Sequence, residues 1–261
     1  MRNKILILSV TLLLVLSFGS LAPAQEAPPN VIIVYFFKAN PGMAQQFEAA
    51  LRAHLEWNVE NEGQWPWNTW QIMSGDRYGE YVVTSAFHSW EDFDANEEYF
   101  SRQVANFRLN AAPLLESVEC IIDEADLINA TFPPDFSYIN VVEFYTYHIK
   151  PCHMAEFNEA RIRIHQATAE ADWPVYYYWE TLRSGGTVPC AYLIIFHRNW
   201  AELREPEISL WQVLVDAYGE EEASSLVDSI YNSVHRIECS VMKYRPDLSY
   251  NNGQIGWRSG M

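Results

Sequence analysis

The sequence predicts an α+β protein built from two successive βαββαβ repeats, and three observations carry that expectation. The stretch Asn40–Leu51, NPGMAQQFEAAL, follows an apolar run and opens a helix, and Lys150-Pro151-Cys152 leads into the same pattern with Pro41 matching Pro151 and Phe47 matching Phe157. Ser74-Gly75 returns as Ser184-Gly185, and Val118-Glu119-Cys120 returns as Ile237-Glu238-Cys239. Even the ends agree, PDFSY at Pro134–Tyr138 and PDLSY at Pro246–Tyr250. Landmarks matched in the same order are the signature of an internal repeat.

In the first repeat, Gln25–Asn30 is a short leader and Val31–Phe37 a strand, rich in β-branched and aromatic residues. Asn40-Pro41-Gly42 ends it and starts a helix to Glu60, with Phe47, Ala50, Leu51, His54 and Leu55 on one face. After a loop at Gly63–Pro66, Trp67–Ser74 and Glu80–Phe87 read as a hairpin around Ser74-Gly75-Asp76. His88-Ser89-Trp90-Glu91-Asp92 opens a second helical region reaching Leu115, and Glu119–Ile122 is the fourth strand. In the second repeat, Ile139–Tyr147 matches the first strand and Met154–Ala171 the first helix. Trp173-Pro174 then echoes Trp65-Pro66, and Phe196-His197 echoes Phe87-His88. The domain plan is therefore 25–138 and 139–250, with a loose Gly- and polar-rich tail at 251–261.

Composition bounds the function. Of 261 residues, 49% are apolar and 20% charged, enough for packed cores and against global disorder. A net charge of −17 excludes a nucleic-acid backbone as partner, which needs a basic patch, and otherwise reads as solubility. Arg2 and Lys4, the apolar run Ile5–Leu16 and Ala22-Pro23-Ala24 form a secretory signal peptide, 1–24, cleaved near Ala24. Its removal leaves 15 basic against 34 acidic residues, or −19. The apolar run is too short for a stable membrane anchor, and the expected location is periplasmic or extracellular. Cys120 and Cys239 alternate with apolar neighbours like core residues, whereas Cys152 and Cys190 lie at strand ends without counterparts in the first repeat. With no CxxC or HxxxH pair, no metal site is expected.

A βαββαβ unit is the ferredoxin-like split βαβ motif. The strand–Pro-Gly–helix step with Phe47 six residues after Pro41, and the strand running into FHSWEDFDA at Phe87–Ala95, resemble the dimeric α+β barrel superfamily, including its antibiotic-biosynthesis monooxygenase-like and NIPSNAP-like domains. The resemblance covers nearly the whole chain after the leader, twice. It implies two ferredoxin-like repeats packed sheet to sheet as an intramolecular α+β barrel enclosing a cavity. It implies a strand order 4-1-3-2 in each sheet, which brings Cys152 and Cys190 to neighbouring ends, so a Cys152–Cys190 disulfide is expected. The superfamily includes cofactor-independent oxygenases and haem-handling enzymes; no residue here marks a haem ligand, so no cofactor is predicted and haem stays open.

Alternation along strands suggests which side chains face the inter-sheet cavity. Val142 and Phe144, matching Ile32 and Val34, are assigned to the helix side, which sends Glu143, Tyr145 and Tyr147, with Tyr35, toward the cavity. In the fourth strands the apolar positions push Glu119 and Glu238 inward, and His88 and His197 are placed at the rim. The register of the second strands is ambiguous by one residue, so Trp70, Trp179 and Glu180 have no assigned face, although Trp179 belongs to the aromatic load that would line a pocket. Arg161 and His165 replace a Leu51/Leu55 pair on the helix face.

Glu143, His165 and Arg161 are thus the catalytic candidates, and Tyr35, Tyr145, Tyr147, Trp179, His88, His197, Glu119 and Glu238 the ligand-binding ones. A desolvated carboxylate suits a general base, and clustered aromatics suit a planar ligand. The same residues also fit a structural role, with glutamates on tyrosine hydroxyls and aromatics filling a core. Three functions follow: a binder of a small planar or apolar organic molecule, a cofactor-independent monooxygenase-like enzyme, or an interaction module with a filled barrel. Nothing in the sequence sets an oligomeric state.

Overall fold

The computed structural model describes residues 28–251 and 254–255. The expected signal peptide, and the tail apart from 251, 254 and 255, lie outside the described residues. The chain runs β1 (Val31–Ala39), α1 (Ala44–Glu60), β2 (Asn68–Ile72), β3 (Tyr81–His88), α2 (Trp90–Ala95), α3 (Glu97–Asn110) and β4 (Leu115–Thr131). The second half follows as β5 (Val141–Ile149), α4 (Met154–Glu170), β6 (Tyr176–Ser184), β7 (Cys190–His197), α5 (Leu210–Tyr218), α6 (Glu220–Ser233) and β8 (Val234–Tyr244). Both halves carry the same succession, the second helical region being split in each.

The eight strands close into one antiparallel barrel of order β1-β3-β2-β8-β5-β7-β6-β4. Within each half the order is 4-1-3-2, as expected. The halves meet differently from two sheets stacked face to face: they join edge to edge. Trp70 of β2 pairs with Tyr244 of β8, and Ala125 of β4 pairs with Glu180 of β6. β4 makes this closure possible, since its 17 residues extend well beyond the expected Glu119–Ile122. Closure pairs each of the eight barrel strands on both sides, which removes the open sheet edges that template aggregation.

Local signals explain the elements. Gly42 at φ +78° makes the turn after β1, which L side chains rarely adopt. Ser89 and Asp92 form a reciprocal capping box that starts α2. Phe47 and Phe157, both 0% exposed, plug the equivalent helix–sheet interface in each half.

Strand alternation creates two environments, and the sidedness of the first strand of each half is the reverse of that expected. Ile32, Val34, Phe36 and Val142 pack with Ile121, Tyr178 and Ile194 inside the barrel. Tyr35 and Phe37 instead pack under α1 and α3, and Tyr147 and Trp179 pack beside Phe157 of α4. A strand covered on both faces is apolar on both, so alternation in VIIVYFF carries no sign. The expected Cys152–Cys190 bridge is also absent: all four cysteines are free thiols. Cys190 points into the packed lumen whereas Cys152 sits in the exposed turn after β5, at φ +69°. Among the described residues no helix is long and apolar enough to cross a membrane.

Candidate functional site

A cleft of about 470 Å³ lies between the outer face of the first-half sheet and α1 and α3, walled by Tyr35, Phe37, Trp67, Val83 and Cys120 from the strands. Leu51, His54, Leu55 and Asn58 enter it from α1, and Gln103, Val104 and Phe107 from α3. The α1 stripe follows from helical spacing, Phe47, Leu51, His54, Leu55 and Asn58 being its buried positions. Two polar groups thus sit on the otherwise apolar stripe that α1 presents to the cleft.

His54 Nδ1 lies 2.7 Å from Asn106 Oδ1. An amide oxygen only accepts, so Nδ1 carries the hydrogen and Nε2 keeps its lone pair. The ring is parallel to Trp57 and edge-on to Phe107, which fixes its plane. Burial holds its pKa below the usual histidine value, despite the Asn106 contact, so the imidazole is neutral at pH 7. One turn further, Asn58 is 0% exposed. Its Oδ1 accepts from Tyr99 Oη at 2.7 Å and Gln103 Nε2 at 3.0 Å, while its Nδ2 has no hydrogen-bond partner. Across the cleft the Tyr35 hydroxyl is paired with the Cys120 thiol, and burial pushes the tyrosine pKa well up. The wall therefore offers a neutral base and aromatic faces, with the unsatisfied Asn58 amide nitrogen closed off just behind it.

The second half has an equivalent cleft of about 380 Å³, lined by Tyr147, Ile164, Trp173, Trp179 and Leu214 among others. Its polar neighbours are already engaged. Tyr177 Oη bonds Thr168 Oγ1 at 2.8 Å and His165 Nδ1 at 3.0 Å. Arg161 bonds Asp126 at 2.7 Å and Asn158 at 2.8 Å, with its guanidinium 5.7 Å from the Trp179 ring. Arg161 and His165 are therefore near one another but each braces a neighbouring element.

The remaining sequence candidates scatter. Tyr35, Tyr147 and Trp179 line the two outer clefts, not the lumen. Tyr145 pairs with Cys239 on the outer face beside Tyr147. Glu143 is also on the outside, 3.4 Å from His197. His88 and His197 are both buried, not rim residues: His88 stacks on Trp65 at 3.5 Å and meets Ser85 Oγ at 2.8 Å. Glu119 and Glu238 do face inward, at a polar barrel mouth of about 480 Å³. There Glu119 pairs with Arg77 at 3.1 Å, and Glu238 with His148 at 2.8 Å and Arg236 at 2.9 Å. Sequence reasoning placed His54 on the buried face of α1 yet passed over Asn58; the buried stripe, continued one turn, reaches it.

No protein-family model and no curated protein matches this sequence. Solved structures do. A candidate monooxygenase from Fusobacterium nucleatum subsp. nucleatum ATCC 25586 superposes with a TM-score of 0.55 at 10% identity, covering 90% of this chain and 100% of that one. A candidate monooxygenase from Lactobacillus acidophilus NCFM gives 0.53 at 12% identity, over 87% and 98%. An anthrone oxidase-like protein gives 0.51 at 11%, over 83% and 92%. At such identities the likeness concerns the backbone alone, and the chain shares the mixed α/β barrel fold of these proteins over most of its length.

Proposed function

We propose that this is an exported protein made of two copies of one ferredoxin-like unit, and that the first-half cleft binds a small planar aromatic molecule bearing a carbonyl or hydroxyl group. The observation that carries this is Asn58 Nδ2, fully buried without a partner in the wall of an apolar 470 Å³ cleft. A buried amide donor left unsatisfied costs about 1–3 kcal/mol, which a ligand oxygen would recover once the Asn58 side chain turns its Nδ2 into the cleft. Trp67, Phe107 and Tyr35 supply ring faces, and the volume is that of an ordinary small-molecule pocket. The export part rests on the N-terminal sequence pattern.

A second reading, a cofactor-independent monooxygenase-like enzyme, is favoured by His54. Its lone pair at Nε2, held by the Nδ1–Asn106 contact, suits removal of a proton from an activated aromatic substrate, with dioxygen as the oxidant. The likeness to candidate monooxygenases supports this reading at the level of fold only.

Native mass spectrometry and an absorption spectrum of protein isolated from its own host test the binding proposal. A bound aromatic of low mass, lost in Asn58→Leu but retained in Glu143→Gln on the far outer surface, is the expected result. Retention in Asn58→Leu would overturn the assignment to this cleft. Turnover under dioxygen that disappears in His54→Gln, with binding retained, would select the enzyme reading.

A further inference from the structure

The barrel lumen contains a buried pair of acids that neither cleft uses. Asp123 of β4 is 0% exposed and Glu180 of β6 is 3% exposed. Strand pairing sets Asp123 opposite Leu182 and Ala125 opposite Glu180, so the two acids are diagonal neighbours on the inward face. Tyr178 Oη donates to Glu180 Oε1 at 2.6 Å, while neither carboxyl oxygen of Asp123 meets a donor other than the proton it would share with Glu180. Glu180 forms part of the wall of a cavity of about 150 Å³ at one end of the lumen. The rest of that wall mixes aliphatic side chains with seven aromatic ones, among them Trp70, Phe87, Phe136, Phe144, Tyr178 and Phe196. Among the described residues no lysine, arginine or histidine lines it.

The energetics of this arrangement call for a positive charge. Two carboxyls out of water, close together and without a cation, are each penalised by several kcal/mol if ionised. Burial and, for Asp123, the neighbouring Glu180 push both pKa values up, so the pair holds a proton that a bound cation can replace. A hard metal ion needs six or more oxygen ligands, which these rings do not supply. A primary ammonium would need three acceptors, and besides Glu180 only Asn68 and Thr84 have side chains able to accept on this wall, the tyrosine hydroxyls apart. A methylated ammonium needs no acceptors, only ring faces and one counter-ion. Phe87 adds its ring from a strained backbone at φ +64°, at the bulge where β3 slips against β1.

We propose that the lumen is a second binding site, selective for a small methylated ammonium cation, with Glu180 as counter-ion, the aromatic rings as its cage and Asp123 as a supporting carboxyl. This is independent of the outer-cleft proposal. Its test is calorimetric titration of the full-length mature protein with choline and with 3,3-dimethylbutan-1-ol, the uncharged molecule of the same shape. Choline is expected to bind at least about tenfold more tightly, a difference of about 1.4 kcal/mol, which cation–π contacts and one counter-ion can supply. Glu180→Gln should erase that preference, and Glu143→Gln on the outer face should leave it intact. Equal binding of the two probes, or no choline binding at millimolar concentration, would overturn the proposal. That comparison uses the unmutated protein, so it holds even where Glu180→Gln fails to fold.

Discussion

Arg161 Nη1 lies 2.7 Å from Asp126 Oδ2, an ion pair that ties α4 of the second half to β4 of the first. The Arg161 side chain is almost fully buried and Asp126 largely so. β4 reaches this point only because it runs past its expected end to pair with β6, so the contact reports on barrel closure itself.

Breaking that pair should loosen the closure. Arg161→Met leaves Asp126 without its cation, and a loss of about 2–4 kcal/mol is expected, somewhat below that of a fully buried pair because Asp126 keeps some solvent. Burial alone would raise the Asp126 pKa, but hydrogen bonds from Asn129 and Arg161 outweigh it and hold the carboxyl below its usual value. This contribution is therefore present above the unfolded pKa of about 4 and lost as pH falls through the folded value. Urea unfolding of the protein and of Arg161→Met at neutral and acidic pH checks both statements; the gap between them should shrink in acid.

His88 gives a second pH dependence in a different window. Burial in the stack with Trp65 pushes its pKa down to about 4, against a small upward pull from Asp92. The unfolded chain therefore binds the proton first, and stability is full above about pH 6.5 and falls as pH drops toward the folded value. A loss on the order of 2 kcal/mol, discounted for residual solvent, is expected across that window. Thermal unfolding of His88→Gln should show a flatter profile from pH 6.5 down to pH 4, with lower stability at neutral pH from the lost stacking.

The lumen acids carry the opposite sign. Both folded pKa values are raised, so their contribution is fully present below the unfolded values near 4 and is lost as pH rises through the folded ones. The groups facing them are Tyr178, Tyr192 and Cys190, none of which is positively charged. Asp123→Asn keeps the shape and removes one ionisable oxygen. It should therefore gain stability relative to the unmutated protein as pH rises from 5 to 9, by about 1–3 kcal/mol at the alkaline end. Denaturation midpoints that stay parallel over this range would contradict the assignment of a buried, proton-holding pair.

Phe47 and Phe157 occupy matched positions and are equally buried. Phe→Ala at either should cost about 3–5 kcal/mol through lost burial and the cavity left behind. Chemical denaturation of both variants measures how evenly the two halves share the barrel's stability; two similar values are expected.

Much was legible in the sequence because it is local or periodic. Turns at Pro41-Gly42 and Ser184-Gly185, the helix stripe led by Phe47 and Phe157, and the recurrence of whole motifs need no knowledge of distant contacts. They determined the secondary elements, their order and the division into two halves. The sidedness of the first and second strands of each half was not legible, because both the lumen and the helix-covered surface are apolar and hydrophobicity cannot tell them apart, whereas Glu119 and Glu238 marked the inward face of the fourth strands. That ambiguity moved Tyr35 and Tyr147 from the lumen to the outer clefts and hid Asp123 and Glu180 inside, while Trp179, which had no assigned face, fell in the outer cleft of the second half. A barrel was expected from the resemblance, but the strand edges that close it were not legible, since pairing of β4 with β6 depends on the path of nine residues past Ile122, where polar and apolar positions mix. Tertiary structure alone decided which polar groups were left unsatisfied, for a missing partner is a property of everything packed around Asn58 or Asp123 and not of the residue or its neighbours in the chain.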